Sequence, residues 1–106
     1  MLSSNDIEDV EDILAKCIKK YNSSYTRRHY RKSTINLKHY VRQIVPGVNS
    51  KGQKIIWVNC ICREFALPNN WRKGILSVDD GGSCFFNLRI NLSTKKYYNL
   101  IVNGYA

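Results

Sequence analysis

Cys84-Phe85-Phe86-Asn87-Leu88-Arg89-Ile90-Asn91-Leu92 alternates without a break. Successive side chains leave a strand on opposite sides, so Phe86, Leu88 and Ile90 share one face and Phe85, Asn87, Arg89 and Asn91 the other. The segment reads as a half-buried antiparallel strand with one wet face, and such a strand needs neighbours. Downstream, Ser93-Thr94-Lys95 turns the chain and Lys96 to Asn103 continues as a strand, with Tyr98, Leu100 and Val102 together and Tyr97, Asn99, Ile101 and Asn103 opposite. Upstream, Lys54-Ile55-Ile56-Trp57-Val58-Asn59-Cys60-Ile61-Cys62 is a β-branched and aromatic run, and a strand carrying Val41 and Val45 precedes it. Gly47 and Asn49-Ser50-Lys51-Gly52 supply turn chemistry between these two. Arg63 to Gly74, with Pro68, Asn69 and Asn70, reads as a connection. A third strand is expected at Ile75 to Val78. Asp79-Asp80-Gly81-Gly82-Ser83 then forms either a tight turn or a bulge in one long bent strand.

The N-terminal segment has a different period. Ile7, Val10, Leu14, Cys17 and Tyr21 recur at helical spacing beside Ile13 and Ile18, and Asn5 with Glu8 three residues on is a start signal. A helix is expected from about residue 5 to 21. Acids crowd its first turns and Lys16, Lys19 and Lys20 its last, which complements the helix dipole. Asn22 to Asn36 has no clean period and reads as an irregular segment that either extends the helix or starts an edge strand. The expected architecture is α+β, a single domain over 1–106 with one N-terminal helix packed on a four-stranded antiparallel meander.

A chain of 106 residues with 43% hydrophobic content suffices for one modest core. No apolar run approaches the roughly 18 residues that span a bilayer, and no basic region followed by an apolar stretch opens the chain. The formal charge is +9, yet Asp6, Glu8, Asp9, Glu11 and Asp12 are five of the eight acids. From Lys16 to Arg63 there are twelve Lys and Arg residues and no acid. Arg27, Arg28, Arg31, Lys32, Lys38 and Arg42 form the dense middle. Such a segment is a solvated basic face or a surface that attracts nucleic acid, anionic glycan or an acidic protein. Tyr21, Tyr25, Tyr30 and Tyr40 interleave with these cations, which either supports stacking on a polyanion or covers the sheet with ring surface.

Residues Val41-Arg42-Gln43-Ile44-Val45-Pro46-Gly47-Val48-Asn49 contain Q-x-V-x-G at Gln43 to Gly47. This string, after one amphipathic helix and between two strands, resembles the first hairpin of the cystatins, and the order of elements is similar to their plan over nearly the whole chain. In that family two hairpin loops and the N-terminal trunk form a wedge that plugs the cleft of papain-like proteases. The resemblance implies a protein partner met by Gln43, Ile44, Val45, Pro46 and Gly47, with Trp71 as a further candidate contact. The chain departs from the pattern in three places. The second turn, Leu92-Ser93-Thr94-Lys95, lacks the family's Pro-Trp pair, Met1-Leu2-Ser3-Ser4 lacks its glycine, and Pro46 sits inside the first motif. The second half, through Asp79-Asp80-Gly81-Gly82-Ser83-Cys84-Phe85-Phe86 to Val102-Asn103-Gly104-Tyr105-Ala106, also resembles a group of small uncharacterised bacterial proteins. That resemblance implies a bacterial origin and favours export, with the signal removed, over a cytoplasmic location.

Catalytic chemistry is not expected. Asp79 and Asp80 are adjacent and read as turn residues, with Gly81 and Gly82 supplying unusual φ values. No Lys-Ser or Lys-Thr follows the glycines to make a phosphate loop. His29 and His39 accompany no nucleophile motif. The four cysteines, Cys17, Cys60, Cys62 and Cys84, permit three full pairings, or serve as small buried hydrophobes. Cys60 and Cys62 are too far apart on one strand face to bridge each other, while Cys84 on an adjacent strand remains open as a partner. No metal and no cofactor is expected. The function expected is that of a non-catalytic protein-binding module, an inhibitor through its hairpins in one form of the reading. The alternative is a polyanion-binding surface on the basic segment. A monomer or weak dimer is expected, the edge strands of an open sheet being the route to self-association.

Overall fold

The structure is a computed structural model that describes residues 2–28, 34–75 and 84–103, without the side chains of 24–28. Helix α1 spans Ser4–Arg28. Its start is set by Ser3 and not by Asn5: the Ser3 N–H donates to Asp6 Oδ2 at 3.1 Å and the Asp6 N–H to Ser3 Oγ at 3.0 Å. This reciprocal capping satisfies two donors that the first turn leaves orphaned. The helix continues seven residues beyond the expected end, which settles part of the irregular segment as helix. The Asn22 amide then holds the returning chain, donating to the Ile35 carbonyl at 2.7 Å and accepting from its N–H at 2.8 Å. Ile35 is thereby buried in the core.

After a 3-10 turn at Leu37–His39, strands β1 (Tyr40–Val48), β2 (Lys54–Cys62), β3 (Phe85–Asn91) and β4 (Lys96–Val102) form one antiparallel sheet in the order β1-β2-β3-β4. The α+β reading, a helix on a four-stranded meander, holds. The connection contains a short helix α2, Arg63–Ala66, and a 3-10 turn at Leu67–Asn69. Ile75 is not in a strand. The remainder of the expected strand at Ile75 to Val78, and Asp79 to Ser83, lie outside the described residues.

Helix α1 lays Val10, Ile13, Leu14, Cys17 and Ile18 on Ile56, Val58 and Cys60 of β2 and Phe86, Leu88 and Ile90 of β3. Tyr40 meets Phe86 edge-on, with ring centroids 5.1 Å apart. Three ion pairs tie the acidic side of α1 to the sheet: Asp6 with Lys54, Asp9 with Lys95 and Glu11 with Arg42. On the opposite face a smaller cluster of Val41, Ile61, Ala66 and Phe85 covers only one end of the sheet, with Phe65, Trp71 and Cys84 packed against it. The β2–β3 register, Ile61 opposite Phe85, carries Cys62 next to Cys84. These two form a disulfide with Cα atoms 4.8 Å apart. Of the pairings the sequence left open, this is the one the register brings together.

Strand β4 corrects the sequence reading. Asn87 pairs with Ile101 and Arg89 with Tyr98, so two residues of β3 span three of β4. The extra residue is a bulge in which Asn99 adopts φ 55°, a left-handed conformation that Asn tolerates better than most. Strict alternation put Tyr98 with Leu100 and Val102. In the fold Tyr97, Leu100 and Val102 pack on the core, and Tyr98 and Ile101 are exposed.

Candidate binding face

Gln43 to Gly47 is strand and not loop. All five residues belong to β1 and pair with Asn59 to Ile55 of β2. The turn lies further on: Asn49 and Gln53 close it backbone to backbone, and the Asn49 carboxamide oxygen accepts from the Lys51 and Gln53 N–H groups. Gly52 takes φ 78°, which other residues rarely adopt. Asn49 and Gly52 therefore out-compete Pro46-Gly47 as the reversal point.

Gln43 is engaged within the molecule. Its Nε2 donates to the Trp71 and Gly74 carbonyls, both at 2.5 Å, and its Oε1 accepts from Asn59 Nδ2 at 3.0 Å. The motif glutamine thus holds the connection against β1, over the open face. Ile44 packs against the main core. Trp71 is half-buried in the smaller cluster, and the Arg72 guanidinium lies 5.0 Å from its ring centre. Val45, Pro46 and Gly47 are exposed.

Of the six cations in the dense middle of the basic segment, Lys38 and Arg42 have described side chains. Arg42 donates Nε and Nη2 to Glu11 and Nη1 to the Leu37 and Tyr40 carbonyls, so this guanidinium is a structural clamp. Lys38 is exposed beside it. Arg27 and Arg28 end α1 with side chains outside the described set, and Arg31 and Lys32 lie outside the described residues. The thiols of Cys17 and Cys60 are buried between helix and sheet. Desolvation pushes the first up to about 11 and the second up to about 12, so neither is a nucleophile near neutrality.

The part of the sheet that no described residue covers carries a feature that the sequence reading missed. Val45 stands opposite Trp57, Trp57 opposite Arg89 and Arg89 opposite Tyr98. One residue from each strand forms a row across the face that α1 does not cover. The Trp57 Nε1–H donates to Asn87 Oδ1 at 3.2 Å, which draws the indole toward β3. Beside the row, Gly47 opposite Ile55 leaves a gap, and a cleft of about 450 Å3 opens between Val45, Gly47, Trp57, Arg89 and Tyr98. A second cleft of about 360 Å3 adjoins it, sharing Val45 and bounded by Arg72, Lys73 and Ile75. Val48 at the rim is 72% exposed and Ile101 on the same face 56%. Arg89 and Lys73 enter none of the ion pairs among the described residues, and no carboxylate lines either cleft there. The wet parity of Arg89 was legible in the sequence. Its alignment with Trp57 and Tyr98 depends on register and on the bulge.

Compared with known proteins, the chain matches no family model, no curated protein and no solved structure. No group of three or more potential metal ligands occurs among the described residues. No helix among them is long and apolar enough to cross a membrane.

Proposed function

We propose that this protein is a non-catalytic protein-binding module that receives its partner on the uncovered face of the sheet. The observation that carries this reading is the row Val45, Trp57, Arg89 and Tyr98, apolar and aromatic groups around a cation, left open beside the cleft at Gly47. Exposed aromatic and aliphatic side chains around an Arg are the composition of protein interface centres. The residues expected to meet a partner divide accordingly: Val45, Pro46 and Gly47 supply contacts, while Gln43, Ile44 and Trp71 support them from within.

Selection of random extended peptides on the protein, with counter-selection on the Trp57→Ala/Tyr98→Ala double variant, tests the proposal. Enrichment of peptides that need both rings supports it. Enrichment indifferent to them, or none, removes it.

A second reading, inhibition on the cystatin plan, has its own support. The Asn49–Gln53 turn, the Ser93–Lys95 turn and the start of α1 converge at one end of the sheet, joined by the Asp6–Lys54 and Asp9–Lys95 pairs. Titration against papain decides it. Stoichiometric inhibition makes this end a wedge, and its absence at micromolar protein confines the cystatin likeness to architecture.

A further inference from the structure

We infer that the partner presents an extended acidic segment, which lies along the two adjoining clefts with an apolar side chain seated at Gly47 and carboxylates two residues to either side of it, on the same face of the extended chain. The inference rests on the open-face reading above and adds the chemistry of the occupant.

Three observations select this occupant. The first is charge. Arg89 stands at one end of the groove and Arg72 and Lys73 at the other, with no carboxylate lining it among the described residues. Among the described acids, Asp6, Asp9 and Glu11 are paired to Lys54, Lys95 and Arg42, and none lines the groove. A second copy of this chain, itself at +9, is repelled.

The second is apolar surface. Val45, Val48 and Ile75 are exposed aliphatic side chains lining the groove. Apolar side chains of a partner remove such surface from water, whereas the phosphodiester backbone of a nucleic acid leaves it wet. The Cys62–Cys84 bond is a further argument against nucleic acid, because disulfides persist in oxidising compartments.

The third is shape. The two clefts adjoin at Val45 of strand β1. Gly47 leaves room within the groove: a Cβ placed there meets only the Ile55 carbonyl oxygen, at 3.9 Å. Arg89 beside it presents a planar fork suited to a carboxylate. The recognised pattern is acid-x-apolar-x-acid, because alternate residues of an extended chain share a face.

The test uses the full chain labelled with 15N and three probes at 100 mM salt: a capped Glu-Ser-Leu-Ser-Glu peptide (Glu-Leu), its counterpart with Lys for Glu (Lys-Leu), and a twelve-residue oligothymidylate. The Glu-Leu peptide is expected to shift the amides of residues 45, 47, 48, 55–57, 72–75 and 89, with Arg89→Gln weakening it about tenfold. Gly47→Leu fills the groove and abolishes the effect, and its amide spectrum and melting temperature verify that it folds. Lys19→Gln and Lys20→Gln, exposed on α1, leave binding unchanged.

Equal binding of the Lys-Leu peptide, or binding of the oligothymidylate in preference to Glu-Leu, overturns the acidic occupant while leaving the face as a binding surface. If no probe shifts these amides at millimolar concentration, and the selected peptides described above bind there, only this inference falls. If those peptides fail as well, the open-face reading falls with it.

Discussion

Replacing Gln43 by Glu removes a donor and keeps nearly every atom in place. In the native fold the carboxamide donates to two carbonyls and accepts from Asn59, which is only 4% exposed. A half-buried hydrogen bond contributes roughly 1 kcal/mol and an exposed one about half of that, so Gln43→Ala is expected to cost on the order of 2 kcal/mol. A carboxylate facing the Trp71 and Gly74 carbonyls adds repulsion, and Gln43→Glu is expected to cost about 3 kcal/mol at pH 7. Near pH 4 the protonated carboxyl regains one O–H donor and part of that loss is recovered. The sign follows from linkage: the fold raises the pKa of this carboxyl, so the penalty is small below its unfolded value and grows as pH rises through the folded value. Urea unfolding followed by circular dichroism measures this directly. With a slope of about 1.5 kcal/mol per molar for a chain of this size, the midpoint moves down by about 2 M at pH 7 and less at pH 4, each relative to wild type. The reasoning fails if Gln43→Ala lies within about 0.5 kcal/mol of wild type, or if Glu is no worse than Ala. Either result makes Gln43 a surface residue available to a partner.

Leu88→Ala, at a position of zero exposure between α1 and the sheet, is expected to cost about 2 to 5 kcal/mol in the same assay. Cys62→Ser/Cys84→Ser opens a loop with a sequence separation of 22, and loop entropy predicts a loss of about 3 kcal/mol, readable as a lower melting temperature that reductant no longer changes. Asn99→Gly is expected within about 0.5 kcal/mol of wild type and Asn99→Val about 1 to 2 kcal/mol below it, because a β-branched residue resists φ 55°. Two pH effects follow from burial and pairing. Lys54 and then the Ser3 N–H hold the Asp6 carboxyl below its ordinary value, so its contribution is present above about pH 4 and declines as pH falls through the folded value, a decline that Asp6→Asn removes. Cys17 and Cys60 are raised to about 11 and about 12, so stability falls as pH climbs above about 9, and Cys17→Ala/Cys60→Ala flattens that limb.

Much of the fold was legible because the signals were local. Helical spacing from Ile7 to Tyr21 gave α1, and the alternation from Phe85 to Asn91 gave β3 with its correct inner and outer faces. Lys54 to Cys62 was read with its observed limits. The misreadings share one cause, competition between nearby residues that composition does not rank. Ser3 won the helix cap from Asn5, and Asn49 with Gly52 won the turn from Pro46-Gly47. At β4, nothing distinguishes Asn99 in the left-handed region from Asn99 in a strand until the pairing with β3 is known. The candidate site was the least legible part. Arg42 is 31 residues from the Glu11 that holds it, and Trp57, Arg89 and Tyr98 are brought together only by register.

The Cys62–Cys84 bond also has a consequence for how this molecule meets proteases. It joins both flanks of the segment 63–83, so a cut anywhere within that segment leaves a single covalent particle, with the sheet still bound to both new ends. On a non-reducing gel such a nicked form runs near its intact mass, and reductant separates it into two pieces. A chain of this architecture can therefore be cleaved in its longest connection without shedding either half.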